Sequence, residues 1–170
     1  MRVLLIIPTR NYNNQYPSFL SFSDFPTGFG FLAAVLKQGG HEVEGLNPNN
    51  IVGYVNAHQM LVDVLMKKLA LVKPELVGLG GLCIDYRFLK DAIGIIRQTD
   101  RKIPIVLGGQ IVTNDAEFIF NDLKPDFAIV GEGEAAIVAL AGQLQGKKDF
   151  EQIDNLWHWI EDIKSEVKSE

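Results

Sequence analysis

Five short apolar runs alternate with longer runs of helical period, and that alternation predicts a doubly wound α/β sandwich. The first of them, Val3–Ile7, is apolar throughout, as strands covered on both faces are. Each opens into glycine or proline before the next helical pattern begins. With 170 residues, 47% hydrophobic and 22% charged, the chain suits one domain of ordinary size or one domain with a short tail.

The elements follow in order. Val3–Ile7 is the first strand, and residues 8–25 form a long loop mixing Asn11, Asn13, Asn14 and Gln15 with Tyr12, Tyr16, Phe19, Phe22 and Phe25. Pro26 to about Gln38 is helical, with Phe29, Leu32, Ala33 and Leu36 on one face. Pro26 suits the first turn and Gly39-Gly40 the stop. Glu42–Leu46 is the second strand, and Asn47-Pro48-Asn49-Asn50 a turn. Val55 to Val72 is a helix carrying Leu61, Val64, Leu65 and Leu69 at helical spacing.

Glu75–Leu79 is the third strand, opening into Gly80-Gly81-Leu82-Cys83, and Tyr86 to Thr99 the next helix. Pro104–Leu107 is the fourth strand, ending at Gly108-Gly109. Thr113 to Leu123 is a short helix capped by Thr113 or Asn114. Phe127–Val130 is the fifth strand, and Gly131-Glu132-Gly133-Glu134 leads into a helix ending near Gly146. Right-handed crossovers then favour a five-stranded parallel sheet in the order 2-1-3-4-5, a flavodoxin-like, Rossmann-like arrangement. Residues 147–170 do not fit the sandwich. They form a β-rich extension in which Ile153–Trp159 and Ile163–Val167 are two short strands around Glu161-Asp162. The expected division is a domain over 1–146 and, over 147–170, the start of a connector to a longer protein.

Composition removes several functions. No apolar run approaches the roughly 20 residues of a membrane span, and the start lacks the small-residue cleavage site of a signal peptide. The single Cys83 cannot close an internal disulfide, which fits a reducing cytoplasm. One cysteine with scattered His41, His58 and His158 builds no structural zinc or iron–sulfur site. The net charge of −5, from 16 basic and 21 acidic residues without a basic stripe, argues against nucleic acid as partner.

Ligands of open α/β sheets bind beyond the carboxyl ends of the strands. Here that edge comprises Pro8–Phe25, Gly80–Asp85, Gly108–Thr113 and Gly131–Glu134. Three of these segments carry glycine pairs or Gly-x-Gly, which let backbone approach a ligand, although sharp strand-to-helix turns call for glycine as well. The dinucleotide fingerprint, the P-loop, the Gly-x-Ser-x-Gly elbow and the acidic residues of a phosphoacceptor receiver are all missing. Glu132 and Glu134 suit the positive end of a helix. Cys83 reads as a small buried residue, His41 as structural, and His58 as lacking the i+3 or i+4 partner of a metal site. The residues by themselves describe a ligand-binding α/β domain without a catalytic group.

Pro26-Thr27-Gly28-Phe29-Gly30-Phe31-Leu32-Ala33-Ala34-Val35-Leu36 followed by Gly40-His41-Glu42-Val43 resembles the "P-x-G…L-A-A-x-L…G-H-E-V" segment of cobalamin-binding domains that precede a radical S-adenosylmethionine domain. Glu75-Leu76-Val77-Gly78-Leu79 is similar to that family's third strand, and Pro104–Gly109 with Thr113 to its fourth. Asp126–Glu134 resembles its "D-hydrophobic-V-x-G-E-G-E", and Asn155-Leu156-Trp157 the entry to the linker. The resemblance implies that cobalamin is held by Thr9, Arg10, Phe25, Gly28, Gly80, Gly81, Leu82, Cys83, Gly108, Gly109, Gln110, Thr113, Gly131, Glu132 and Gly133. The loops after strands three and four would line a slot for the flat nucleotide tail, so Gly81→Val or Gly109→Val is expected to abolish binding without unfolding.

The chain departs from the pattern in three places. Methyltransferase and mutase domains use Asp-x-His-x-x-Gly, whose histidine ligates cobalt. With that glycine set on Gly28, Ser23 and Phe25 stand at the Asp and His positions, which implies base-off cobalamin without a histidine ligand. Gly108-Gly109-Gln110-Ile111 replaces the more usual Gly-Gly-Pro-His. The family's Cys-x-x-x-Cys-x-x-Cys is absent, so S-adenosylmethionine and the 4Fe-4S cluster are expected only in a separate radical domain, carboxyl-terminal in the same chain. That domain would act by methyl transfer or by ring-forming or oxidative chemistry on a small molecule. Two alternatives remain: a domain that keeps the fold as a scaffold without cofactor, and a flavodoxin-like flavin binder.

Overall fold

The computed structural model of the chain describes residues 1–9, 12, 26–147 and 149–159. In chain order these form β1 (Arg2–Ile6), α1 (Thr27–Gln38), β2 (Glu42–Leu46), α2 (Ala57–Val72), β3 (Leu76–Gly80) and α3 (Tyr86–Thr99). There follow β4 (Ile105–Gly108), α4 (Gln110–Asn114), α5 (Ala116–Leu123), β5 (Phe127–Ile129), α6 (Glu134–Gln145) and β6 (Leu156–His158). The sheet order is β2-β1-β3-β4-β5-β6, with the first five strands parallel. The sandwich and the 2-1-3-4-5 order match the expectation, and α1, α2, α3 and α6 lie within a few residues of their expected spans.

Side chains alternate across each strand and so divide the core in two. Leu4, Ile6, Val77, Leu79, Ile105 and Leu107 meet Leu61, Leu65 and Leu69 of α2, Phe88 and Ile96 of α3, and Phe120 of α5. On the opposite face Val3, Leu5, Leu76, Val106 and Phe127 meet Leu36 of α1 and Ile137 and Leu140 of α6. Leu61, Leu65 and Leu69 recur every four residues, so one stripe of α2 turns inward. Burying each such leucine is worth about 1.5–3 kcal/mol. Asn56 caps α2 by accepting from the Gln59 amide. Both α2 and α5 end on a lysine in the left-handed region, Lys73 and Lys124, each followed by a proline that cannot continue the helix.

Two elements differ from the sequence expectation. The single helix expected over Thr113–Leu123 is two, because Gly109, at φ 85°, turns the chain into α4 directly after β4. Asp115 then breaks the helix and caps α5 by accepting from the Phe118 amide, so neither Thr113 nor Asn114 is the cap. The sheet also has six strands rather than five. Asn155, at φ 62°, turns the chain back, and β6 pairs antiparallel with β5, Ala128 opposite Trp157. Ile153, Phe150 and Leu156 join the core on the α1/α6 face. The second expected tail strand, Ile163–Val167, lies outside the described residues. Among the described residues no helix is long and apolar enough to cross a membrane.

Candidate functional site

The parallel strands bring the segments after β1, β3, β4 and β5 to one edge, together with the first turn of α1 and the start of α6. Thr9 follows β1 there. Its Oγ1 is buried and has no hydrogen-bond partner, an arrangement native proteins rarely leave without a ligand, water or ion. Pro8, before it, is buried, and its carbonyl accepts from Asn49 Nδ2 at 3.0 Å. Arg10 and Phe25 lie outside the described residues.

The glycines at this edge fall into two groups. At Gly80 and Gly109 the neighbouring loop's backbone fills the place of a side chain, and at Gly81 the Asp85 and Pro8 side chains do, whereas Gly108 has only an ordinary contact with Ile129 O at 3.8 Å. A Cβ on Gly109 would stand 2.9 Å from both N and O of Gly81, and one on Gly80 2.9 Å from O of Gly108. Ile111 N donates to Gly81 O at 3.0 Å, tying the two loops together. This packing accounts for the small size of Gly80, Gly81 and Gly109, and a valine at Gly81 or Gly109 would collide with protein. The expectation that such variants leave the fold intact is corrected on that ground. Gly28 and Gly131 are different, since a Cβ on either would meet no heavy atom of the described residues within 4 Å. Both are exposed.

Thr113 joins the fourth and fifth loops. Its hydroxyl donates to Gly109 O at 3.3 Å and accepts from Gly131 N at 3.0 Å. Leu82 is 54% exposed, and its amide donates to Asp85 Oδ2 at 2.9 Å. Cys83 is exposed rather than buried, because the short turn Cys83–Asp85 lies on the surface, where Asn114 Nδ2 approaches Sγ at 3.7 Å. Gln110 opens α4 on the surface. Glu132 is exposed, Gly133 contacts Leu32 of α1, and Glu134 begins α6.

One cluster escaped the sequence reading. Tyr12, 8% exposed, donates to Asp91 Oδ2 at 2.6 Å, and His58 Nδ1 lies 3.2 Å from that oxygen and 3.1 Å from the phenol oxygen. Burial first, and the neighbouring Asp91 second, push the Tyr12 pKa well above its ordinary value. His58 and Asp91 line a groove of about 400 Å³ between α2 and α3 with Val62, Met66, Gly94 and Ile95. No local pattern marks these residues, which come from three separate elements. Among the described residues no group of three or more His, Cys, Asp and Glu side chains could hold a metal ion.

The architecture is shared with known enzymes. The radical S-adenosylmethionine methyltransferase TsrM from Kitasatospora setae, solved with tryptophan substrate and a SAM analogue, superposes with a TM-score of 0.72 at 20% identity. It covers 95% of this chain, which spans 29% of TsrM. The cobalamin-dependent S-adenosylmethionine radical enzyme OxsB, solved with aqua-cobalamin bound, gives 0.71 at 17% identity, again over 95% of this chain and 21% of its own. At these identities the likeness is one of fold. A CheY-like protein from Pseudomonas aeruginosa PAO1 gives 0.53 at 9% identity, covering 85% of this chain and 91% of its own. No curated protein matches the chain in sequence. The B12 binding domain family, however, matches residues 25–141, more than half of the sequence, from the start of α1 into α6. The chain belongs to the B12 binding domain family.

Proposed function

We propose that this domain binds cobalamin at its carboxyl edge and presents it to a radical S-adenosylmethionine domain. The observation that carries the reading is the buried Thr9 hydroxyl after β1, which has no hydrogen-bond partner and lies at the edge where this sheet type takes ligands. The residues present fit the group. Gly28 and Gly131 leave open space beside their backbones for a bulky, flat ligand, and Thr113 holds the Gly131 loop in place. When bound, cobalamin supplies a cobalt centre that can carry a methyl group. Thr9 would bind its polar periphery, Gly28 and Gly131 would admit it, and the turn Gly131-Glu132-Gly133 would close over one side.

The ligand is proposed to be base-off and without a histidine on cobalt. S-adenosylmethionine and the 4Fe-4S cluster belong in this reading to the partner domain, carboxyl-terminal in the same protein, acting on a small molecule. A second reading, a scaffold without cofactor, is favoured by one observation: Gly80, Gly81 and Gly109 of the third and fourth loops are explained by packing against protein.

Titration of the 170-residue chain with hydroxocobalamin separates the two. Saturable binding with a base-off absorption spectrum, weakened at least about tenfold by Gly28→Leu, supports the cofactor reading. Absence of binding at about 100 μM, where sites as weak as about −5.5 kcal/mol register, supports the scaffold.

A further inference from the structure

Thr9 sits between two tethers. On one side Ile7 N donates to Leu46 O at 2.9 Å and Asn49 Nδ2 to Pro8 O at 3.0 Å. On the other, Tyr12 N donates to Thr9 O at 3.2 Å, and the Tyr12 side chain is fastened to α2 and α3. Its ring meets Phe88 edge-to-face, centroids 5.3 Å apart, a geometry aromatic pairs favour. Its hydroxyl has one proton, given to Asp91 at 2.6 Å, a short charge-assisted bond. His58 Nδ1 therefore joins the cluster as an N–H donor. A buried hydroxyl without a partner is costly, and a free segment would turn Thr9 out to water. The tethers oppose that rotation.

We propose that Tyr12, fastened by Asp91 and His58, is a positioning residue that holds the Thr9 turn in place after β1 at the carboxyl edge. The ligand it serves rests on the cobalamin reading, whereas the anchor itself rests on the contacts alone. The groups facing the phenol are Asp91 and Arg87 of α3 and His58 of α2, with Lys90 on the same groove.

The test uses Tyr12→Phe, which keeps the ring on Phe88 and removes only the hydroxyl, together with Asp91→Asn and the double variant. In the unliganded chain, amide exchange of a peptide spanning Thr9 to Tyr12 should quicken about tenfold in Tyr12→Phe. Hydroxocobalamin should bind about tenfold more weakly to either single variant, with little further loss in the double. Unchanged exchange and affinity in Tyr12→Phe would overturn the anchor, even with a lowered melting temperature. If the wild-type chain binds no cobalamin, the functional reading fails, and the exchange measurement alone decides the anchor.

Discussion

Gly109 and Gly81 meet backbone to backbone. A Cβ on the first would stand 2.9 Å from both N and O of the second, and the Gly109 φ of 85° already lies where L side chains are strained. The third and fourth strand loops are thereby locked at the edge where a ligand would bind.

Gly109→Ala is therefore expected to destabilise the fold by on the order of 2–4 kcal/mol, from φ strain plus the clash. Gly28→Ala, with open space and helical backbone, should stay within about 0.5 kcal/mol of wild type. Urea denaturation of both variants is the check. Equal stabilities would mean that the two loops readily separate.

Thr113→Val removes the hydroxyl that bridges Gly109 O and Gly131 N. Because Thr113 is exposed and water can substitute, the expected loss is about 1 kcal/mol, with Thr113→Ser near wild type. Chemical denaturation of the pair separates the hydroxyl from the methyl group.

A chain ending at Gly146 would lack β6, the contact of Phe150 with Phe127 at 4.9 Å, and the stacking of Trp159 on Phe120 at 4.5 Å. Trp159 Nε1 also donates to Pro125 O at 2.8 Å. Losing these contacts should cost on the order of 3 kcal/mol. Comparing the unfolding midpoints of residues 1–146 and of the whole chain measures it. A negligible difference would support a domain boundary at 146.

His41 lies beside the Met1 amine, 3.5 Å from Nδ1, and burial, then that positive charge, holds its pKa below the ordinary 6.5. The unfolded chain takes up the proton near 6.5, and the folded chain only at lower pH. Stability is thus full above that value and lost as pH falls through it. His41→Gln should flatten the stability profile as pH falls below about 6.5. Parallel profiles would assign the acid loss to other groups.

Much of this protein was legible in its sequence. Apolar runs such as Val3–Ile7 and Glu75–Leu79 have the composition of doubly covered strands, and the Leu61, Leu65 and Leu69 spacing is that of a one-sided helix. Hydrophobic period is a local property, and right-handed crossovers then leave few strand orders. The same patterns located the carboxyl edge, with Thr9 and Gly131 in its segments, whereas Gly28 entered only through the family resemblance. Only the tertiary structure decided which glycines pack against protein and which face open space, since Gly81 and Gly109 meet solely because β3 and β4 are neighbours. It alone paired Tyr12 with Asp91 across 79 residues, brought β6 onto the sheet edge and turned Cys83 outward. Such contacts depend on where the chain returns in space, and no local period encodes that.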